Sequence, residues 1–473
     1  MKSSSASSPL TTRRRFLRRT SATIAAVNLV PGHVLGAGGQ VPPSERLNVA
    51  ILGTGGQGIT NLQALLPEPD VNIVALCDVA EFWDNSHLYY RHNGGRGPAR
   101  QAFKDQLERQ PKPGQHEPSL HVDYRTMLER LDRDIDGVLI AAPNHIHAVA
   151  SIAAMRAGKG VYCEKPLTHS IYEARQVARV ARETGVATQM GNQGHSTDDI
   201  RRAVEWVRDG AIGPVREVHA WRGGPNKPMP MERPTGTPPV PEGLHWDLWL
   251  GPAKERPFQP DYAPQAFHYW WDFGTGTLGN FGCHTLDTPV WALDLEYPEL
   301  VEASSSPLSK ETTPAVAMYH YVFPARGAHP RLDLFWYDGG LRPPRPECLE
   351  PDRDLPLEGG SLMVGETGAI LSGVWSASPR IIPEAKRRAY EPPAPSIPRS
   401  KGHHRDWINA CKGGPPASSN FVNAARLTEI VLLGAVAMQT GATVYWDGPH
   451  LAARGLPEAE PIVHGHFRDG WGL

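Results

Sequence analysis

Three consecutive residues have side chains suited to proton chemistry: Glu164, Lys165 and Pro166. They follow a short apolar run, residues 160–163, which reads as a strand. The proline fixes the backbone behind the lysine and the glutamate supplies a charge partner, an arrangement that suits a lysine held for proton transfer. Considered alone, however, the three residues are better explained as a surface ion pair.

A second group of residues is suited to holding phosphate. The apolar run 47–52 leads directly into Gly53-Thr54-Gly55-Gly56-Gln57-Gly58. In a strand-turn-helix unit the first glycine permits the tight turn, the second lets backbone amides approach a pyrophosphate, and the third lets the helix sit close to the strand. The helix N-terminus adds partial positive charge. We therefore expect a dinucleotide to bind at Gly53, Gly55, Gly56, Gln57 and Gly58.

The carboxylate that such a site needs follows at the expected distance. A second apolar run, residues 71–77, ends in Asp78, which lies 20 residues beyond Gly58. A carboxylate at this spacing accepts hydrogen bonds from the adenosine ribose. Because it would repel a 2′-phosphate, NAD is favoured over NADP as the cofactor. The alternative, a glycine turn with an unrelated surface aspartate, needs several coincidences.

The elements that position these residues alternate along residues 46–192. After an irregular insertion at about 84–118, strands are expected at 137–142, 160–163 and 186–190, with helices between them. This alternation predicts an α/β fold, with a Rossmann doubly wound parallel sheet. Ligands of such sheets bind beyond the carboxyl ends of the strands. The glycine turn, Asp78, the turn at 143–147 and Glu164 should therefore converge on one crevice.

Beyond residue 192 the pattern changes. Strand-like runs at 215–222, 316–323 and 331–337 and a hairpin at 363–374 predict a C-terminal α/β domain, residues 193–473, with an open and mostly antiparallel sheet. Residues 222–265 contain 11 prolines, and a loop of this length is usually functional or a linker. We interpret it as an arm or lid over the pocket; a surface excursion or a subunit-contact arm is the alternative.

Together these motifs resemble the Gfo/Idh/MocA family of glucose-fructose oxidoreductase and inositol dehydrogenase. The resemblance is carried by the glycine turn, Asp78, the Pro143-Asn144 turn, His147 and the Glu164-Lys165-Pro166 segment. It is strongest for exported members of the family, which share the segments 191–195, 246–252 and 271–276. The resemblance implies that Pro143, Asn144, His147, Glu164 and Lys165 help to bind NAD. It also implies that Lys165 points at the substrate hydroxyl and that the second sheet often supports oligomerisation.

The catalytic histidine implied by the family lies in the segment 276–287. In the family a helix carries an aspartate and, four residues later, a histidine that acts as general base, so both project from one face toward the lysine. His284 matches the histidine, but the aspartate position is Asn280. An amide can orient substrate, yet it cannot stabilise an imidazolium by charge. A structural histidine is the alternative for His284.

Other candidates concern substrate binding. His195 follows a strand end that faces the crevice and would contact substrate or nicotinamide. The alternative, a loop histidine without a functional role, fits the sequence equally well. Trp271 is one of several tryptophans near the expected pocket, where flat aromatic faces pack against sugars; a place in the core is the alternative. The histidines and the five cysteines show no zinc-type spacing, so neither a metal nor a disulfide framework is expected.

Charge is distributed unevenly. The whole chain of 473 residues has a net charge of −2, but residues 1–37 contain six basic residues and no acid, which leaves −8 on the rest. The basic cluster at 12–18 precedes a short apolar stretch and small residues at 35–37, the layout of a twin-arginine signal peptide. We therefore expect a periplasmic or otherwise exported protein that uses the twin-arginine export machinery. The linker 38–45 would join the signal peptide to the first domain. The net negative charge of the remaining chain gives no basis for nucleic-acid binding. The apolar stretch in residues 1–37 is too short for a permanent membrane anchor.

Three functions fit these observations. The first is an NAD-dependent oxidoreductase, a homo-oligomer acting on a sugar, glycoside or cyclic polyol hydroxyl, with Lys165 and His284 managing the proton. The second is an NAD-retaining glycosidase that works by oxidation, elimination, hydration and re-reduction. The third, suggested by Asn280, is a non-catalytic sugar-binding protein.

Overall fold

The computed structural model describes residues 41–224 and 231–473 of the chain. The predicted signal peptide, residues 1–37, lies outside the described residues, as do the first three residues of the predicted linker. The described residues 41–46 and 68–70 belong to one compact unit, in which the turn Pro43–Glu45 is closed by a 2.9 Å hydrogen bond from the Glu45 amide to the Pro42 carbonyl. Residues 47–67 and 71–473 form the other unit, which contains both sheets and the site.

Six parallel strands form the N-terminal sheet, in the order β3-β2-β1-β4-β5-β6. This is the doubly wound Rossmann order, so the predicted fold class is confirmed. The strands are β1 Leu47–Leu52, β2 Val71–Cys77, β3 Ser119–His121, β4 Gly137–Ile140, β5 Gly160–Cys163 and β6 Thr188–Met190. β4 and β5 are buried along their whole length, as expected of strands covered on both faces.

Five helices connect and flank these strands: α1 Gly56–Leu65, α2 Arg96–Arg109, α3 Tyr124–Arg130, α4 Asn144–Arg156 and α5 Ile171–Thr184. The start of α5 is fixed by its sequence. The Ser170 hydroxyl accepts from the Glu173 amide at 3.2 Å, and the Glu173 carboxylate accepts from the Ser170 amide at 2.8 Å. This capping box satisfies two amides that the helix leaves unpaired.

The insertion at 84–118 was expected to be irregular, and for residues 96–109 this expectation was wrong, because they form α2. α2 buries only Arg96, Ala99 and Phe103. So narrow an apolar face produces little helical periodicity in the sequence. Pro98 lies in the first turn of α2, where the helix has no hydrogen-bond acceptor for an amide and proline is tolerated.

The second sheet has nine strands, in the order β13-β12-β11-β7-β10-β9-β8-β14-β15. Its strands are β7 Val215–Arg222, β8 Leu300–Ser305, β9 Ala317–Phe323, β10 Leu332–Asp338, β11 Gly359–Gly365, β12 Gly368–Gly373, β13 Arg380–Ile382, β14 Val444–Asp447 and β15 Ala452–Ala453. β7 and β10 pair in parallel, and the other neighbours are antiparallel. The prediction of a mostly antiparallel sheet is confirmed.

Eight further helices complete the described chain: α6 Asp198–Arg208, α7 Trp246–Leu250, α8 Gly276–Thr285, α9 Asp287–Ala292, α10 Glu384–Ala389, α11 His403–Cys411, α12 Phe421–Thr440 and α13 Glu460–His464. α12 packs against α5 on one side and α8 on the other, so the two sheets share one apolar core. By length and composition α12 passes the test for a membrane-spanning helix, the one that does so among residues 41–224 and 231–473. However, 83% of its apolar window is buried inside the protein, as in a core helix.

Candidate active site

A cavity of about 900 Å³ lies at the carboxyl ends of the parallel strands. Its wall contains the glycine turn after β1, Asp78 after β2, the turn after β4 and Glu164 with Lys165 after β5. The structure thus brings together the motifs that the sequence predicted to share one crevice. On the opposite side, α8 supplies Asn280 and His284.

The glycine turn has the geometry that a dinucleotide needs. Gly53 has a left-handed φ of +83°, and a Cβ at position 58 would lie 1.9 Å from the Gly53 carbonyl oxygen, so neither position accepts a side chain. Gly55, the residue before α1, faces open space, because a Cβ there would meet no atom within 4 Å. The N-terminus of α1 therefore has room for a phosphate group.

Asp78 is held rigidly beside this turn. Its Oδ2 accepts from the Thr54 amide at 2.7 Å, and its Oδ1 accepts from the Ala80 amide at 2.9 Å. Burial raises the pKa of this carboxyl group, while the two backbone amides act in the opposite direction. The carboxylate lines the cavity with further acceptor capacity, which suits the ribose contact predicted for it.

A strap formed by residues 83–94 covers the glycine turn. Its ends are joined by two hydrogen bonds between Trp83 and Gly94, of 2.7 and 3.0 Å. Within the strap, the Tyr90 ring lies directly against Gly56, where a Cβ would sit 2.0 Å from a ring carbon. The Tyr90 hydroxyl donates to Oε1 of Gln57 at 3.2 Å. Gln57 therefore anchors the strap over the turn.

A second segment closes the side of the cavity near β3. Trp471 lines the wall with Tyr124, and the Arg125 guanidinium lies 4.1 Å from the centre of the Trp471 ring. Arg468 fixes this segment by donating to the Gly251 carbonyl and to the Asp247 carboxylate, both at 2.7 Å. No sequence motif predicted this contribution.

The turn after β4 is braced by a buried histidine. His147 places one ring nitrogen 2.8 Å from the Pro166 carbonyl and the other 2.8 Å from the Ala142 carbonyl. Burial lowers its pKa to about 4. Asn144 is buried on the same turn and accepts from the Thr275 hydroxyl at 3.4 Å. Pro143, Asn144 and His147 all line the cavity, and the contacts of His147 hold the lysine segment in place.

Glu164 is buried, and the side chain of Asn61 reaches it from α1. The Asn61 amide donates to Oε1 at 2.9 Å, while Oε2 is buried and has no hydrogen-bond partner in the described part of the chain. A Cβ on Gly191 would come within 2.7 Å of the carboxylate carbon. Burial raises the pKa of Glu164, opposed by Asn61 and by the neighbouring Lys165.

Lys165 reaches across the cavity to α8. Its Nζ donates to the Asn280 main-chain carbonyl at 3.1 Å and to the Asn280 side-chain oxygen Oδ1. Burial lowers the pKa of Lys165, and the charges of Glu164 and Cys283 oppose this effect. The lysine and the asparagine at the predicted aspartate position are thus direct partners.

His284 lies one turn after Asn280, as predicted, and lines the same cavity. Its Nδ1 is buried and has no hydrogen-bond partner among the residues that the structure describes. Burial, the Lys165 charge and His403 lower its pKa well below the usual value. The Trp375 ring stands edge-on to the imidazole, with 6.1 Å between ring centres.

Two predicted substrate residues lie elsewhere. His195 places Nδ1 2.9 Å from the Asp287 carboxylate and stacks on Trp291, and its side chain is not part of the cavity wall. Trp271 is packed in the core, where its carbonyl lies 2.9 Å from a ring nitrogen of His169. Neither side chain lines the cavity, and within the described residues Nε2 of His195 is buried without a hydrogen-bond partner.

Other aromatic residues occupy the wall. Trp249 and Leu248, on the proline-rich arm, line the cavity, and the arm's position is fixed by a 3.0 Å hydrogen bond from the His245 amide to the Val79 carbonyl. Residues 225–230 of the arm lie outside the described part.

His268 also lines the cavity, and burial, with the Lys165 charge, lowers its pKa to about 3. A histidine followed by aromatic residues was visible in the sequence, but no spacing linked it to Lys165.

Trp375 is the most unusual of these wall residues. It adopts a left-handed backbone with φ 57° and ψ 27°, and it is followed by two further non-glycine residues with positive φ, Ser376 and Ser378. Its side chain is 48% exposed although it lines the cavity. A strained, half-exposed aromatic residue beside a catalytic candidate is typical of a ligand contact.

The residues present fit a nicotinamide dinucleotide. The open space at Gly55, the α1 N-terminus and the fixed carboxylate of Asp78 match the phosphate and ribose contacts of a Rossmann site. A metal has no comparable arrangement: within residues 41–224 and 231–473, no group of three or more His, Cys, Asp or Glu side chains could hold one.

The comparisons with known proteins agree with this geometry. Residues 89–192 match the sequence model of an oxidoreductase family described as an NAD-binding Rossmann fold, and residues 232–323 match the C-terminal alpha/beta domain of that family. The glycine turn and Asp78 precede the first matched region.

Among curated proteins, a glycosyl hydrolase family 109 protein of Stenotrophomonas maltophilia is 29% identical over 208 residues, 44% of this chain and 41% of that protein. Levoglucosan dehydrogenase of Pseudarthrobacter phenanthrenivorans is 31% identical over 112 residues, 23% of this chain and 28% of the relative. Both alignments span less than half the length of the relative.

Among solved structures, the WlbA dehydrogenase from Bordetella pertussis, in complex with NADH and UDP-GlcNAcA, superposes with a TM-score of 0.55 at 15% identity. The match covers 85% of this chain and 99% of that structure. This likeness shows a common fold.

Proposed function

We propose that this chain, whose residues 89–192 and 232–323 match the two domain models of the Gfo/Idh/MocA oxidoreductase family, oxidises a hydroxyl group of a sugar, glycoside or cyclic polyol, with NAD as hydride acceptor. The observation that carries the proposal is that Lys165, from the end of β5, and His284, from α8, line the cavity that also contains the glycine turn. Asp78 favours NAD, because a buried carboxylate repels the 2′-phosphate of NADP.

The residues divide the work by position. Gly53, Gly55 and the N-terminus of α1 would hold the pyrophosphate, and Asp78 would hold the ribose. Gly58 lies outside the cavity wall and lets α1 pack closely against the glycine turn. When bound, the nicotinamide accepts a hydride from the substrate carbon. Lys165 and His284 act on the substrate oxygen, and the aromatic side chains of Trp249 and Trp375 offer flat faces for the C–H side of a sugar ring.

The experiment is mass analysis of the purified protein for bound NAD(H), followed by a panel of sugars, glycosides and polyols with product identification. A keto-sugar formed together with NADH supports the dehydrogenase. Absence of NAD binding at millimolar concentration contradicts the proposal. Unchanged turnover in both Lys165→Ala and His284→Ala would show that the reaction occurs elsewhere.

A second candidate is a glycosidase that retains NAD and recycles it in place. It is favoured by the coverage of the cavity, since the strap with Tyr90 and the segment with Trp471 both restrict exit of a dinucleotide. The relative described as a glycosyl hydrolase family 109 protein also supports it. Retained NAD with release of the aglycone selects this reaction, whereas continuous NADH release without glycoside cleavage excludes it.

Export and assembly form part of the proposal. We propose that the twin-arginine signal in residues 1–37 directs the folded protein out of the cytoplasm and that the mature chain forms a homo-oligomer. Replacing Arg13, Arg14 and Arg15 by lysine should leave the protein in the cytoplasm. Light scattering of the purified protein measures the oligomeric state, and a monomer would contradict the second part.

A further inference from the structure

The contacts of Lys165 suggest which group takes the substrate proton. An uncharged amine has two N–H bonds and one lone pair. The two oxygens of Asn280 accept from Nζ, one at 3.1 Å and the other in a short contact. Two N–H bonds are thereby satisfied, and the remaining tetrahedral position of Nζ is left for a ligand in the cavity that Lys165 lines.

The surroundings of Lys165 disfavour its charged form. Within the described part of the chain it makes no ion pair, because its partner on α8 is the neutral amide of Asn280. The titratable groups that face it are Glu164, Cys283, His147, His268 and His284. Of these only Glu164 is an acid of ordinary strength, and its Oε1 is bound to Asn61. Burial therefore lowers the pKa of Lys165, and Glu164 and Cys283 oppose this effect only in part.

His284 is poorly placed to act as the base. A histidine base accepts a proton on one ring nitrogen while the other donates to an acceptor that fixes the tautomer. Nδ1 of His284 is buried and has no acceptor in the described ranges 41–224 and 231–473, so a proton on Nδ1 would leave an unpaired donor there. The favoured tautomer carries the proton on Nε2, which makes that nitrogen a donor toward the cavity.

We propose that Lys165, held by the two oxygens of Asn280, is the general base of this enzyme, and that His284 donates a hydrogen bond to the reacting oxygen. This inference rests on the proposed oxidation of a hydroxyl group. The O–H bond breaks and its proton moves to the Nζ lone pair, forming a third N–H bond. The C–O bond becomes C=O as the hydride leaves with the C–H electron pair to the oxidised nicotinamide cofactor. Lysine thus ends as ammonium, the substrate is oxidised and the cofactor is reduced.

The first test measures Lys165 without turnover. The rate of its acylation by acetic anhydride is followed against pH by peptide mass spectrometry, in the wild type, Asn280→Asp and Asn423→Asp. Asn423 is exposed at the start of α12, so its variant adds the same charge away from the site. We expect a midpoint well below that of exposed lysines in the wild type and in Asn423→Asp, and a midpoint at least one pH unit higher in Asn280→Asp. A wild-type midpoint equal to that of exposed lysines overturns the proposal.

The second test uses chemical rescue. Lys165→Ala should lose at least about 1,000-fold in kcat/KM and regain activity with small primary amines, more strongly with the more basic amines. His284→Ala should lose less and should not respond to imidazole. Rescue of His284→Ala by imidazole, with no amine rescue of Lys165→Ala, would assign the base to His284. Unfolding midpoints and NAD affinity identify a variant that is misfolded, in which case Lys165→Met is used with the same amines.

The two tests separate this inference from the proposed function. If no sugar, glycoside or polyol is turned over, the proposed function fails, while the acylation profile still reports whether Asn280 keeps Lys165 uncharged. If substrate is oxidised but acylation and rescue give the opposite results, the oxidation stands and the assignment of the base is wrong.

Discussion

Gly191 is the position at which one added methyl group should disturb the site most directly. In Gly191→Ala the new Cβ would lie 2.7 Å from Cδ of Glu164 and 2.7 and 2.8 Å from its two oxygens. Glu164 cannot simply turn away, because it is buried and its Oε1 accepts from Asn61 at 2.9 Å. The carboxylate must therefore shift, and Lys165 follows it in the chain.

The magnitude follows from two contributions. Overpacking a buried site by a methyl group costs about 1–3 kcal/mol. Loss of the Asn61 bond leaves a buried polar group unpaired, at a further cost of about 1–3 kcal/mol. We expect the free energy of unfolding to fall by about 2–6 kcal/mol. We also expect kcat/KM to fall, because the Lys165 amine is displaced from Asn280.

Denaturant unfolding and steady-state kinetics measure both effects. The matched control is Gly472→Ala, since a Cβ at that glycine would meet no atom within 4 Å. Gly472→Ala lowers the conformational entropy of the unfolded chain by about the same amount as Gly191→Ala. A Gly191→Ala protein as stable and as active as Gly472→Ala would refute the claim that close packing on Glu164 positions the lysine.

Three further predictions concern the wall, the strap and acid stability. Trp375→Gly should raise KM at least about 10-fold, because the ring lines the cavity. The free energy of unfolding should change by less than about 1 kcal/mol, because glycine relieves the left-handed backbone and this offsets the loss of a half-exposed ring. Denaturation and steady-state kinetics test both effects, and an unchanged KM contradicts the prediction. Tyr90→Ala should release NAD at least about 10-fold faster in stopped-flow displacement, whereas Tyr89→Ala, at an 80% exposed position, should not; equal rates would remove the strap from cofactor retention. Arg399 and the amides of Ser396 and Ile397 lower the pKa of Glu205 to about 2. The ionised Glu205 carboxylate therefore contributes fully to the free energy of unfolding above its unfolded-state pKa near 4.5, and this contribution is lost as the pH falls through 2. The stability difference between wild type and Glu205→Gln, about 1.5–3 kcal/mol at pH 6, should therefore shrink toward pH 2 in urea denaturation, and a pH-independent difference contradicts the assignment.

The parallel sheet could be predicted from the sequence because its signals are local. β1, β2 and β5 match the predicted runs residue for residue, since each is a short apolar segment ended by glycine or a charged residue. The same locality explains the site residues that the structure brings together: motifs at carboxyl strand ends meet because the topology makes them meet. α2 was missed because its buried face is too small to leave a periodic pattern.

What could not be predicted depends on contacts between distant segments. His195 is adjacent in sequence to Gly194, which lines the cavity, and Trp271 follows the cavity-lining Tyr269 by two residues. The direction of each side chain is nevertheless decided by partners far along the chain, such as Asp287 for His195. Tyr90, His268, Trp375 and Trp471 enter the wall from loops without a recognisable motif. The missing acceptor at Nδ1 of His284 likewise reflects what surrounds the residue in three dimensions.

The strap at 83–94 also has a thermodynamic consequence. Because the strap and Trp471 lie over the dinucleotide site, a bound cofactor and these two segments would stabilise one another. A ligand present at 1,000 times its dissociation constant adds about 4.1 kcal/mol to the free energy of unfolding. That amount is comparable to much of the stability of an ordinary domain. The cofactor would thus act as a structural component of the N-terminal sheet as well as a reactant, and its removal should lower the melting temperature of the whole protein.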